Sequence, residues 1–204
     1  MKKHSGESIR LFENPILESF SHVHPIIPLV VWSPFVIFLW NRAYKNGNTT
    51  NEFLLFALIG LVVWTLTEYV LHRFVFHWDA KSKLGKRFVF MFHGLHHDDP
   101  QDPTRLVMPP VPAILIMFLL WKFFALIVPA HYLDLFMSFF TVGYLCYDYI
   151  HYATHHFPMT NPIGKYLRKY HLQHHFSHER SKYGVSNPLW DYVFRTVRGP
   201  KDTH

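Results

Sequence analysis

The sequence predicts an all-α integral membrane protein: four transmembrane helices and a cytosolic helical cap that holds a histidine-rich di-metal site. Three observations carry this expectation. Four apolar stretches are long enough to be considered as spans. Lys and Arg gather on one side of those stretches, and ten histidines fall into four tight groups at their ends. With 204 residues the chain suits a single domain over 1–204. Half of the residues are apolar, yet mean hydropathy is only +0.04, so the apolar residues are concentrated in segments.

The first expected span, 26–40, is short and interrupted by Pro34. The second, 53–71 (FLLFALIGLVVWTLTEYVL), is the cleanest, and a turn-rich linker containing Asn-Gly-Asn joins the two. The third, 112–130, is broken only by Lys122, and the fourth covers 132–150, so the very short PAHYLD link makes these two an antiparallel hairpin. The N-terminus is basic, but no small-residue cleavage site follows its first apolar run. We read that run as a retained membrane segment and not as a cleaved signal peptide.

The alternative to membrane spans is a soluble helical protein with apolar core helices, and the charge distribution argues against it. If all four stretches cross, segments 1–25, 72–111 and 151–204 share one side and hold 3, 6 and 8 Lys+Arg, or 17 of the 20. The other side holds Arg42 and Lys45. This is the positive-inside pattern. It accounts for the net charge of +6 as a cytoplasmic-face feature, so no nucleic-acid partner is expected. The expected location is the inner membrane of a bacterium or the endoplasmic reticulum of a eukaryote. The single cysteine, Cys146, excludes a disulfide framework and a Cys-based zinc or iron–sulfur site.

The same topology places every histidine group on one side. The groups are His72 with His77; His93, His96 and His97; His151 with His155; and His171, His174 and His175. Residues three and four apart share a helix face, so each triad and the 151/155 pair should converge. His72 and His77, five apart, would diverge on an ideal α-helix. Either the helix ends or distorts between them, or they serve different metals. Ten imidazoles are too many for one closed zinc site and suffice for two metals with five ligands each. The chain has six Glu, of which only Glu68 lies in a span, so the carboxylate-rich four-helix di-iron architecture does not fit. A histidine-rich pair of iron ions does, and isolation with zinc bound would be compatible with it. Glu68, four before His72, and Asp148, three before His151, are the expected carboxylate partners of the ligands. Tyr149 reads as an interfacial anchor. Phe74, Phe76, Phe92 and Tyr152 are candidates for the substrate path.

The text around these histidines resembles the fatty acid hydroxylase and sterol desaturase superfamily, most closely its fatty acid 2-hydroxylases. The resemblance lies in TEYVLHRFVFH, HGLHHDDPQDPTRLVMPPVPA, YDYIHYATHHFP and KYHLQHHFSHERSKYGVSNPLWDYVFRT, and extends over about residues 60–198. It implies O2-dependent hydroxylation at carbon 2 of a long or very long fatty acyl group, free or in a sphingolipid-type lipid. It implies that the ten histidines ligate two metals, and it marks Tyr147 and Asp148 as a catalytic pair that either supports the ligands from behind or lies on the substrate side. Eukaryotic members commonly carry an N-terminal cytochrome b5 domain. Only about 25 residues precede the first span here, so a separate cytochrome b5- or ferredoxin-type donor with its reductase is the expected electron source. His156 and His178 are additional to the family pattern and are read as non-ligands, while His4, His22, His24 and His131 read as tail or interface residues. Two rival functions are a sterol or carotenoid oxidase of the same superfamily and a non-catalytic membrane protein that binds metal.

Overall fold

The structure is a computed structural model and describes residues 8–177 and 180–198; His4 and His178 lie outside the described residues. It is all-helical, with no strand among the described residues. Seven elements precede the third apolar stretch: α1 (Pro15–Ser21), α2 (Ile27–Lys45), α3 (Thr50–Val70), a π-helical continuation π1 (Leu71–Phe76), α4 (Lys83–Val89), π2 (Phe90–Gly94) and α5 (Leu95–Asp98). They are followed by α6 (Pro110–Phe124), α7 (Ala130–His156), α8 (Pro162–Phe176) and α9 (Leu189–Val193).

Local chemistry sets the helix starts. Thr49 and Glu52 form a reciprocal capping box at the head of α3. Proline occupies the first turn of α2, α6 and α8, where its missing N–H costs nothing. The Asn161 side chain accepts from the Gly164 N–H at 2.8 Å to cap α8.

Each expected span corresponds to a helix, with shifted ends. α2 runs on to Lys45 because nothing after Trp40 breaks it. The third stretch leaves the helix at Ala125, short of the expected 130, and Pro129 then caps α7. α7 does not stop at 150. Its 27 residues run unbroken to His156, so His151 and His155 ride on the bundle helix itself. Among the described residues, one helix, Thr50–Phe76, is long and apolar enough to cross a membrane by length and composition. α7 carries Asp134, Ser138, Thr141 and Asp148 on its buried face, and α6 is only 15 residues long.

The core is a set of large side chains between α2, α3, α6 and α7, including Trp32, Leu39, Trp64, Met117, Phe136 and Phe140. Trp64 meets Phe140 and Tyr144 edge-on at centroid distances of 5.1 and 5.4 Å, the favoured aromatic geometry. Two glycines bring α3 and α7 together. A Cβ on Gly60 would lie 2.8 Å from the Phe139 Cβ, and one on Gly143 would lie 2.5 Å from the Trp64 Cβ. Both are closer than packed atoms allow. Gly143→Leu should therefore push the helices apart and destabilise the protein by about 1–3 kcal/mol or more, measured as the thermal unfolding midpoint in detergent.

The outer faces of these helices are apolar as well. Val30, Ile37, Leu54, Leu58, Leu115 and Leu119 are all exposed, and only 22% of the most apolar window of Thr50–Phe76 is buried. A soluble protein rarely leaves so continuous an apolar surface in water.

Candidate metal centre

All ten histidines meet at one end of the bundle, in two clusters of five. The first consists of His72, His77, His93, His97 and His174, and the second of His96, His151, His155, His171 and His175. Within each cluster the five nitrogens lie within 4.8 Å of one another. The rings of His97 and His175 stack at 4.1 Å, so the clusters share a wall.

The spacing of the triads explains this sorting once it is placed on helices. The i,i+4 pairs 93/97, 151/155 and 171/175 each stay within one cluster, as expected. The middle members do not: His96 leaves the first cluster for the second, and His174 leaves the second for the first. The expectation that each triad would converge on one side is corrected here. Successive helical residues are about 100° apart, so positions i+3 and i+4 flank the i position on opposite sides. With a metal site on each side, the triad bridges the two.

His72 and His77 also belong together, because the helix distorts between them. Through π1 the His77 N–H bonds to the His72 carbonyl at 3.1 Å, a five-residue step. The wider turn places positions five apart above one another, which an α-helix does not. A second π-helical turn, π2, holds His93.

The nitrogens face one another as ligands do. Nε2–Nε2 separations are 2.9 Å for His72–His93, His93–His97 and His77–His174. In the second cluster they are 2.9 Å for His96–His151, 2.8 Å for His155–His171 and 3.0 Å for His171–His175. At a metal–nitrogen distance of about 2.1 Å, ligands at right angles are about 3.0 Å apart and tetrahedral ones about 3.4 Å. The donor set and its spacing fit a cation with more than four ligands in each cluster.

Protonation agrees with this. The His72 Nδ1 lies 2.5 Å from the Tyr183 carbonyl and the His174 Nδ1 lies 2.7 Å from the Ser181 carbonyl. A carbonyl only accepts, so each Nδ1 carries the proton and each Nε2 keeps its lone pair for a metal. Burial disfavours the charged ring. It holds His93, His96 and His171 well below the usual imidazole value, and lowers His77 and His155 to about 3 and His97 to about 2.

A pH prediction follows for the metal-free protein. The unfolded chain binds protons near pH 6.5, the ordinary imidazole value, while the folded rings stay neutral to about pH 3. The stability these groups contribute is complete above about pH 6.5 and drains away as pH falls toward 3. The unfolding midpoint of chelator-treated protein should fall continuously between neutral pH and about pH 4. A flat midpoint over that window would contradict it.

The two carboxylates expected beside the ligands are elsewhere. Glu68 accepts from the backbone N–H groups of Val185 and Ser186 at 2.7 and 2.8 Å and from the Ser186 hydroxyl. Asp148 accepts from the Tyr144 hydroxyl at 3.3 Å and lies against the Met108 backbone. Buried carboxylates need donors, and each finds them away from the rings; His72 and His174 instead use backbone carbonyls, which leave no mark in a sequence. Asp191, fully buried and also absent from the sequence expectations, accepts from the Tyr183 and Gly184 N–H groups at 2.9 and 2.7 Å.

A small apolar cleft of about 40 Å³ lies within the bundle, next to side chains that touch the clusters. Trp64, Leu71, Phe76, Met117, Leu120 and Tyr147 are among its walls. Phe76 stacks on His93 at 5.7 Å and the Tyr147 ring is 5.7 Å from His151, so one wall residue touches each cluster. Of the other path candidates, Phe92 stacks behind Phe76 at 6.4 Å, Phe74 is exposed beneath Arg73, and Tyr152 packs on His156 at 4.4 Å. His156 stands outside both clusters. His22 belongs to a network around the buried Arg105, while His131 pairs with Asn48 at 3.1 Å. Tyr149 donates to the Pro25 carbonyl at 2.6 Å.

An all-helical bundle with two five-histidine clusters, each able to hold a metal ion, beside an apolar cleft is the class of protein the fold and site define. Comparison with known proteins agrees. The fatty acid hydroxylase family matches residues 57–196, and the chain belongs to it. It is 37% identical to a dihydroceramide fatty acyl 2-hydroxylase of Arabidopsis thaliana, over 96% of this chain and 82% of that protein. It is 36% identical to a ceramide very long chain fatty acid hydroxylase of Saccharomyces cerevisiae, over 97% of this chain and 52% of the relative. To the human fatty acid 2-hydroxylase it is 33% identical, over 95% of this chain and 58% of that one. Among solved structures it is similar to full-length scs7p, of which only the hydroxylase domain is visible. That match has a TM-score of 0.85 and 36% identity, and covers 93% of this chain and 72% of the other.

Proposed function

We propose that this chain hydroxylates carbon 2 of a long or very long fatty acyl group, carried on a ceramide-type lipid or free, at a pair of iron ions held five histidines apiece. The observation that carries this reading is the apolar cleft, two of whose wall residues each lie against a ring of one cluster, Phe76 on His93 and Tyr147 beside His151. The names of the relatives supply the reaction and the acyl carrier.

The chemistry that a bound di-iron pair supplies is reductive activation of O2, in which one oxygen atom enters the C2–H bond and the other leaves as water, consuming two electrons and two protons. The chain's own residues hold and orient. The ten Nε2 atoms provide the ligands. Trp64, Met117 and Leu120 hold an acyl tail in a slot that excludes water, and the depth at which its head stops decides which carbon faces the clusters. Tyr147 is the wall residue at the reacting end. Asp148 acts behind it, by fixing the Tyr144 hydroxyl. In this reading residues 1–204 form one domain. α2, α3, α6 and α7 cross the membrane with their exposed apolar faces in lipid, and the basic histidine end faces the cytoplasm. There it meets a cytochrome b5- or ferredoxin-type electron donor.

Expression in a host whose lipids lack 2-hydroxy acyl chains tests the substrate class. New 2-hydroxy fatty acids, dependent on air, are the expected result. Unchanged acyl chains with oxidised sterols or carotenoids would assign the chain to the rival activity, and no oxidised lipid at all would leave metal binding as its role.

A further inference from the structure

Two buried carboxylates, Glu68 and Asp191, are neither ligands nor partners of a ligand ring, yet both hold the same short segment. Asp191 takes the Tyr183 and Gly184 N–H groups, one on each oxygen, at 2.9 and 2.7 Å. Glu68 takes the next two, Val185 and Ser186, on a single oxygen at 2.7 and 2.8 Å, with the Ser186 hydroxyl on its other oxygen. Four consecutive backbone donors are thus bound by two acids, one from α3 and one from α9. The segment wraps so tightly that a Cβ on Gly184 would lie 2.1 Å from the Asn187 carbonyl oxygen and 2.9 Å from Asp191. Thr196 completes the hold: its hydroxyl donates to Asp191 at 2.7 Å and its carbonyl accepts from the Lys182 N–H at 2.8 Å.

This segment and the two residues before it supply the carbonyls of Tyr183 and Ser181, which set the tautomer and direction of His72 and His174. Both of those rings belong to the first cluster. In the second cluster the Nδ1 atoms of His155, His171 and His175 are buried without a hydrogen-bond partner among the described residues. Partners of this kind change metal affinity by about 10–100-fold.

We propose that Glu68 and Asp191 are positioning residues for the first metal. They clamp residues 183–186, and through the carbonyls of Ser181 and Tyr183 they set the affinity of the first cluster and leave that of the second unaffected. The proposal rests on the reading that each cluster binds a metal. It distinguishes the two acids by chemistry. Both Asp191 oxygens face N–H donors, so an Asn side chain must turn its own NH2 against one of them. The second oxygen of Glu68 meets only a hydroxyl, which can accept as well as donate, so Gln can replace it.

Zinc alone serves as the probe, titrated into full-length chains in which one cluster is disabled. His151→Ala/His155→Ala reports the first cluster and His72→Ala/His77→Ala the second. Asp191→Asn and Glu68→Ala should weaken zinc binding by about 10–100-fold in the first background and leave the second unchanged, while Glu68→Gln binds nearly as the parent does. In the otherwise unaltered chain, Asp191→Asn should release one of two zinc equivalents to a chelator that removes neither from the parent. Thr196→Val, which removes the hydroxyl's bonds to Asp191 and to Tyr69 and keeps the shape, should give a smaller loss confined to the first cluster, and it decides the matter should Asp191→Asn fail to fold. Equal losses in both backgrounds, or none in either, would overturn the proposal. A parent that binds no zinc or iron would instead remove the metal reading beneath it.

Discussion

Replacing His174 with alanine should remove one metal and abolish product, and replacing His171, one turn away on α8, should remove the other. Each loss should cut activity by more than about 100-fold, beyond the effect of losing an outer partner, because O2 chemistry at a paired site needs both ions. The two variants should nevertheless differ. His174 shares the first cluster with His72 and His77, whereas His171 shares the second with His151 and His155. His72→Ala should therefore leave the metal content of the His174 variant unchanged, and His151→Ala should lower it further. Metal analysis of the purified single and double variants checks the sorting. If His72→Ala costs the His174 variant its second metal, the sorting is wrong.

The second large effect concerns the cleft. Ala113 is buried in its wall on α6, beside Met117 and on the same side as Leu120. Ala113→Phe would fill the slot at a strain cost of about 1–3 kcal/mol, while the ten ligands stay in place. Activity on a long acyl chain should fall at least about tenfold, with metal content retained. Lipid analysis of the expressing host beside metal analysis of the protein separates this from a folding defect. Undiminished hydroxylation would show that the acyl chain takes another route.

Much of this site is legible in the sequence. Hydropathy locates α2, α3, α6 and α7, and the ten ligand candidates are the ten residues of the two clusters. What the sequence hides is three-dimensional. The crossing of His96 and His174 depends on there being a cluster on each side of a helix. The pairing of His72 with His77 depends on a π-helical turn with no residue signature. The outer partners of His72 and His174 are main-chain carbonyls, so the acids nearest in sequence, Glu68 and Asp148, drew the expectation to themselves. The burial of Asp191 becomes visible only once the C-terminal segment folds back under α3.

Oxygen-isotope labelling tests the central claim most directly. Iron-loaded protein, given a reductant system, a ceramide-type lipid and heavy O2, should place one heavy oxygen atom on carbon 2 of the acyl chain in each turnover, and the chain carrying both His171→Ala and His174→Ala should place none. Hydroxyl oxygen drawn from water, label at another carbon, or equal product from that double variant would contradict a hydroxylase built on the paired histidine clusters.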